Sequence, residues 1–126
     1  MTAVQPRSIV CWVLLALLAA LYLLAGLGKL SGGAAEQFAG WGYAPWFAIL
    51  IGVLEIAGAV GLLVPRTTRL AVYGLSVIML GAAYTHLTNG EGAQVVRPGI
   101  FLGVLWLVWW LRGARASVAE RTASVP

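Results

Sequence analysis

From Ile9 to Leu27 the chain runs nineteen residues without a charge. As a helix, at about 1.5 Å per residue, that stretch reaches roughly 28 Å, close to the thickness of the hydrocarbon core of a bilayer. Three more apolar stretches follow. Trp46 to Val64 carries one charge, Glu55, and Leu70 to His86 carries none before the histidine. Pro98 to Leu111 spans only 14 residues, about 21 Å, and becomes long enough if it starts near Gln94 with Arg97 snorkelling outward. Inside lipid every backbone N–H and C=O needs an internal partner, so runs of this length are helices. The reading is a single membrane domain over residues 1–126, with helices at about 9–29, 46–64, 70–88 and 95–111 and a polar, mobile tail over 113–126. Three spans with the last segment lying flat is the alternative.

Composition agrees. Apolar residues make up 61 % of the 126 and charged residues 10 %, with a mean hydropathy of +0.92. Soluble domains run at about 45–50 % apolar and about 25 % charged, so a soluble globular domain and a disordered chain are excluded. The net charge of +4 is read as topology charge and not as a phosphate-binding patch, so no nucleic acid is expected. The first apolar run exceeds the roughly 7–15 residues of a signal-peptide core and is expected to remain as a transmembrane helix.

The links add topology. Pro65 to Arg69 is a tight turn that makes the second and third helices antiparallel neighbours, and Thr88-Asn89-Gly90-Glu91-Gly92 is a second turn. Residues 31–45 form a longer link whose Phe38, Trp41 and Tyr43 suit the headgroup zone. Trp106, Trp109 and Trp110 read as an interfacial anchor. With four spans both termini share a side with Arg7, Arg66, Arg69, Arg112, Arg115 and Arg121, while the other side holds Lys29 and Arg97. By the positive-inside rule both termini are cytoplasmic in a multi-pass protein of the cell membrane. The fold class is an all-α membrane protein, an antiparallel four-helix transmembrane bundle.

Ionisable residues inside the spans are functional hypotheses by default. Glu55 lies nine positions after Trp46, about 13 Å below the outer interface and near the midplane. Ala48, Gly52 and Ala59 share its helix face, and such small residues favour close helix contact, so the carboxyl is expected to face other helices. His86 falls about 6 Å below the outer boundary, with Lys29 and Arg97 at the mouth. Tyr22, seven residues before Lys29, shares its face. The expected site is therefore a polar cleft open to the outer face. Glu55 is the candidate proton carrier, and Lys29, Glu55, His86, Arg97 and Tyr22 are the ligand-binding candidates. The bland alternatives are a structural Glu55 hydrogen bond and simple snorkelling of Lys29 and Arg97 to headgroups.

Gly99-Ile100-Phe101-Leu102-Gly103 is a GxxxG face, more commonly packed inside a bundle than against another chain. The single cysteine, Cys11, excludes an intramolecular disulfide or CxxC pair, and reads as a small core residue. The single histidine excludes bis-His haem ligation within one chain. No GxGxxG, P-loop or HExxH occurs, so no metal site and no self-contained redox-cofactor motif is expected.

The chain resembles the DoxX-like family of small membrane proteins. The likeness is carried by Gly26-Leu27-Gly28-Lys29-Leu30, Phe38 and Trp41-Gly42-Tyr43-Ala44-Pro45-Trp46. It continues through Gly52-Val53-Leu54-Glu55-Ile56-Ala57-Gly58, Pro65 and Ala83-Tyr84-Thr85-His86-Leu87, and spans about residues 13–111. The resemblance implies a four-helix bundle and a membrane subunit of an oxidoreductase system, as relatives are associated with thiosulfate:quinone oxidation and with thiol-redox complexes. By matched position, Lys29, Glu55 and His86 are the family's polar residues. Two functions follow as expectations. One is a quinone- or thiol-linked oxidoreductase subunit, with quinone as the cofactor and a partner protein as electron source. The other is a non-catalytic anchor or assembly factor for a partner membrane protein. Expected partners are the lipid bilayer, a partner subunit and, as an open option, a second copy of the chain. A transporter is disfavoured because no paired repeat with broken helices occurs.

Overall fold

The structure, a computed structural model, describes residues 6–123. It comprises α1 (Pro6–Leu30), α2 (Ala35–Gly40), α3 (Pro45–Leu63), α4 (Thr68–Thr88) and α5 (Val96–Ala123), with a 3₁₀ turn over Gly92–Val95 before α5. Among the described residues four stretches are long and apolar enough to cross a membrane: Ile9–Leu30, Pro45–Leu63, Thr68–Thr88 and Gly92–Arg112. The last of these packs against α1 and α4 as a full member of the bundle, so the arrangement with a fourth segment lying flat is not what forms. α1 packs on α3 and α5, and α4 packs on α3 and α5, which closes an antiparallel ring of four helices.

Local chemistry sets the helix ends. Pro45 opens α3, where its missing N–H is no loss because the first helical N–H groups have no intrahelical partner. At the other end of α3 the hydroxyl of Thr67 donates to the Gly61 carbonyl at 3.0 Å, and that of Thr68 donates to the Val64 carbonyl at 2.9 Å. These side chains satisfy carbonyls the ending helix leaves open, and they allow the short turn into α4. This end of the bundle is called the turn end. The opposite end, which carries α2 and the Gly92–Val95 turn, is called the link end.

Packing differs between the two halves. The core of Cys11, Leu15, Leu18, Leu62, Val72, Leu75, Leu105 and Val108 fills the turn half. There Gly58 lies against Leu75 and Gly61 against Ala71, bringing α3 onto α4. In the link half α1 and α3 make the close approach. A Cβ on Gly26 would stand 2.6 Å from the Gly52 carbonyl oxygen, and one on Gly52 would stand 2.9 Å from that of Gly26. Large apolar side chains point outward all round the spans: Leu24, Leu70, Val77 and Tyr84 are each exposed by two thirds or more, as a lipid-facing surface requires.

Several expectations change. The fourth helix does not stop at Leu111 but continues through Ala123, so the polar tail is helical as far as that residue. The added residues Arg112-Gly113-Ala114-Arg115-Ala116-Ser117-Val118-Ala119-Glu120-Arg121 are mostly good helix formers that extend a helix already nucleated, and 124–126 lie outside the described residues. Gly99 and Gly103 face away from the bundle, with nothing within 4 Å of the place a Cβ would take. The GxxxG face is thus not used inside the chain. Trp106 also ties two helices together, its indole N–H donating at 3.0 Å to Ser76 Oγ on α4.

The glycine crossing yields a stability test. Gly26→Ala is expected to lower the stability of the detergent-solubilised protein by about 1–3 kcal/mol, the usual cost of overpacking. Gly99→Ala, with open space around it, is expected to leave the thermal unfolding midpoint unchanged.

Candidate functional site

Glu55 is the eleventh residue of the nineteen in α3, on the buried strip with Ala48, Gly52 and Ala59. Its side chain is 2 % exposed. The Lys29 Nζ lies 2.7 Å from Glu55 Oε1. The pairing follows from helix geometry. In an α-helix each Cα–Cβ bond tilts toward the N-terminus, so Lys29 on α1 leans toward the turn end and Glu55 on antiparallel α3 leans toward the link end. The Gly26–Gly52 contact brings the two helices near enough for the side chains to meet. A charge at a helix centre in lipid costs about 3 kcal/mol, and a partner of opposite sign offsets much of it.

Sequence depth places Lys29 at the mouth of the site, but the structure carries its amine down to the floor beside Glu55. The alternative of Lys29 snorkelling to the headgroups is therefore not what forms. Tyr22, about two turns before Lys29 on α1, is fully buried, and its ring meets Phe101 of α5 edge-on at 5.1 Å. Its hydroxyl has no hydrogen-bond partner among the described residues. A buried hydroxyl without a partner typically costs 1–3 kcal/mol, so it and the buried His86 Nδ1, which likewise has no hydrogen-bond partner, are the two atoms of the site that call for a ligand.

The link of residues 31–45 forms a roof. It does not merely lie among headgroups, because Phe38 of α2 is buried, and Phe38 with Trp41, Tyr43 and Phe47 forms a chain of rings 4.9–6.3 Å apart. Gly42, at φ +88°, turns the chain between Trp41 and Tyr43 in a conformation that favours glycine. Two bonds pin the roof to α4 and the turn beyond it. The Trp41 indole N–H donates to Glu91 Oε1 at 2.6 Å. The Tyr43 hydroxyl lies 2.7 Å from Thr85 Oγ1, and since Thr85 donates its own proton to the Gly81 carbonyl, Tyr43 is the donor. His86 stands edge-on to Trp41 at 5.2 Å, and its Nδ1 lies 3.7 Å from Glu91 Oε2, too long for a hydrogen bond.

Between floor and roof is a cavity of about 540 Å³. Tyr22, Lys29, Glu55, His86 and Arg97, the five residues singled out in the sequence, all line it. Only Lys29 and Glu55 bond to each other. His86 turns to the roof, and Arg97 stands at an exposed rim with Gln37 and Gln94. The walls are apolar, formed among others by Ala25, Ile51, Ile78 and Met79. Trp41, Tyr43, Thr85 and Glu91 were not visible as site residues in the sequence, where two read as headgroup aromatics and one as a turn residue. Glu91 did carry a signal, as one of only four acids in the chain and five residues beyond the single histidine. Among the described residues no group of His, Cys, Asp and Glu is arranged to hold a metal ion.

These features define a class: a small four-helix membrane protein with an ion pair at mid-depth beneath an aromatic roof. The chain belongs to the DoxX-like family, whose profile matches residues 13–108. Comparisons with curated proteins and with solved structures give no match.

Two outcomes test the geometry. In a double-mutant cycle, Lys29→Met and Glu55→Gln are each expected to destabilise, with the double variant costing less than the sum by about 0.5–3 kcal/mol, read from thermal unfolding in detergent. Tyr43→Phe is expected to cost about 1 kcal/mol by the same measurement, through loss of the bond to Thr85.

Proposed function

We propose that this DoxX-like protein is the membrane subunit of a quinone- or thiol-linked oxidoreductase system, and that its cavity holds a quinone. The observation that carries the reading is the unpartnered Tyr22 hydroxyl lining the same apolar chamber as the Lys29–Glu55 pair. Ligand sites typically measure about 300–1,000 Å³, with apolar walls and a few convergent polar groups, and this cavity is of that kind. A quinone is a flat apolar ring with two carbonyl acceptors. Tyr22 offers an O–H, and the Lys29 ammonium has three N–H donors with one committed to Glu55. The aromatic roof suits a flat ring.

When bound, a quinone supplies two-electron, two-proton redox chemistry. The chain's residues bind and orient it: Tyr22 and Lys29 donate to its oxygens, Phe38 and Phe47 cover the ring, and the Glu55 carboxylate, paired with the Lys29 amine, is the group that takes up and passes on a proton. His86, Trp41 and Glu91 link the chamber to the link end through ring contact and hydrogen bond. Electrons come from a partner subunit, because a lone buried Cys11 has no second thiol for dithiol chemistry. With the arginine-rich side cytoplasmic, the link end and its rim of Gln37, Gln94 and Arg97 face outside the cell membrane.

A second reading, an anchor or assembly factor, has one observation in its favour. Gly99 and Gly103 face outward with room for a close-packed helix of another protein.

Decyl-ubiquinone titrated into the detergent-solubilised protein, followed by quenching of tryptophan fluorescence, separates the two. Tyr22→Phe, Glu55→Gln and His86→Ala are each expected to weaken binding tenfold or more, about 1.4 kcal/mol, while membrane insertion is unchanged. Wild-type affinity in all three variants, or no binding by the wild type, overturns the quinone reading and leaves the anchor.

A further inference from the structure

The seam between α3 and α4 is closed at the turn end and open further along. Gly58 lies against Leu75 and Gly61 against Ala71, so the two helices touch there. Near the link end the Tyr43–Thr85 bond ties the segment that leads into α3 to α4. Between these two ties, from Leu75 to Thr85, lies a stretch about 15 Å long at the helical rise. Along it the residues that line the cavity are Leu50 and Leu54 on α3 and Val77 and Gly81 on α4.

Those four residues are also exposed at the side of the bundle, Leu50 at 41 %, Leu54 at 44 % and Val77 at 69 %. A residue that lines a cavity and is exposed at the surface marks a mouth. This mouth is apolar, and Leu54 adjoins Glu55 at mid-depth, so it faces acyl chains and not water. The other seams differ. The cavity-lining residues of α1, Tyr22, Ala25 and Lys29, are buried or half-buried, as are Pro98 and Phe101 of α5, and the exposed Arg97 of α5 belongs to the polar rim at the link end.

We propose that the α3–α4 seam is a lateral door through which a membrane-dissolved amphipath enters from the bilayer, its polar head at Tyr22, Lys29 and Glu55 and its apolar tail lying out across Leu54 and Val77. The identity of the head rests on the quinone reading above; the door does not. An apolar tail left in lipid keeps its solvation there and asks nothing of the cavity, which then needs to enclose only the head.

The test uses nanodiscs containing a phosphatidylcholine with a diazirine at mid-chain. Met79 is the reporter, because it lines the cavity yet is buried from the lipid around the bundle. After irradiation, mass spectrometry is expected to find an adduct on Met79 in the wild type. Val77→Trp, and Leu54→Trp with Val77→Trp, are expected to reduce it at least fivefold. Leu24→Trp, at a lipid-facing position away from the seam, leaves it unchanged, and circular dichroism verifies that each variant is folded. No adduct on Met79, or an adduct the plugged variants retain, overturns the door. Decyl-ubiquinone is expected to suppress the adduct. Suppression supports the quinone as occupant, whereas an adduct removed by the plugs but indifferent to decyl-ubiquinone keeps the door and discards the quinone.

Discussion

A carboxylate at mid-depth in lipid has to be compensated, and Lys29 is the group that compensates Glu55. That requirement organises the link half of the molecule. It demands that α1 and α3 approach closely, which Gly26 and Gly52 permit, and it commits both charged side chains to one spot between helices. A basic residue near a helix end has a cheaper option in extending to the headgroups. Lys29 does not take it, because the tilt of its Cα–Cβ bond and the opposite tilt on α3 already aim the two groups at each other. Replacement of the pair by apolar residues of similar volume is often neutral or stabilising in proteins, so its retention in a chain with so few charges is better understood through the chamber above it than through stability.

The division between halves has a physical logic. The turn half is filled with Leu, Val and Cys side chains and behaves as the rigid base of the bundle. The link half is kept from collapsing by groups that cannot be packed away: a bonded ion pair below and a tied aromatic layer above. Two hydrogen bonds from Trp41 and Tyr43 hold that layer across from α4, so the chamber keeps its height. The DoxX-like family match, over residues 13–108, takes in both halves.

Much of this was legible in the sequence. Uninterrupted apolar runs reveal spans because hydrocarbon tolerates no unpaired backbone, and Glu55 with its small-residue neighbours announced an inward face. The convergence of Glu55, Lys29, His86 and Arg97 on one chamber followed from depth along four helices, and that of Tyr22 from the helix face it shares with Lys29. What depth arithmetic lacks is side-chain direction, and so it left Lys29 at the rim. It also has no purchase on segments without periodicity. Trp41 and Glu91 are fifty positions apart in loops, and only the folded link brings them to 2.6 Å. The outward turn of Gly99 and Gly103 was equally hidden, since a GxxxG pattern specifies closeness but not the partner. The continuation of α5 past Leu111 was missed because polarity was taken as the end of the helix, when it marks only the end of the apolar surface.

That continuation has a mechanical meaning. α5 is 28 residues long, about 42 Å as a straight helix, against about 30 Å of hydrocarbon. One end carries Arg97, Pro98 and Phe101 in the chamber wall, and the other projects past the turn end of the bundle. A single unbroken rod therefore connects the chamber to the opposite face of the membrane. Phe101 in the chamber wall and the polar turns beyond Arg112 therefore belong to one continuous element.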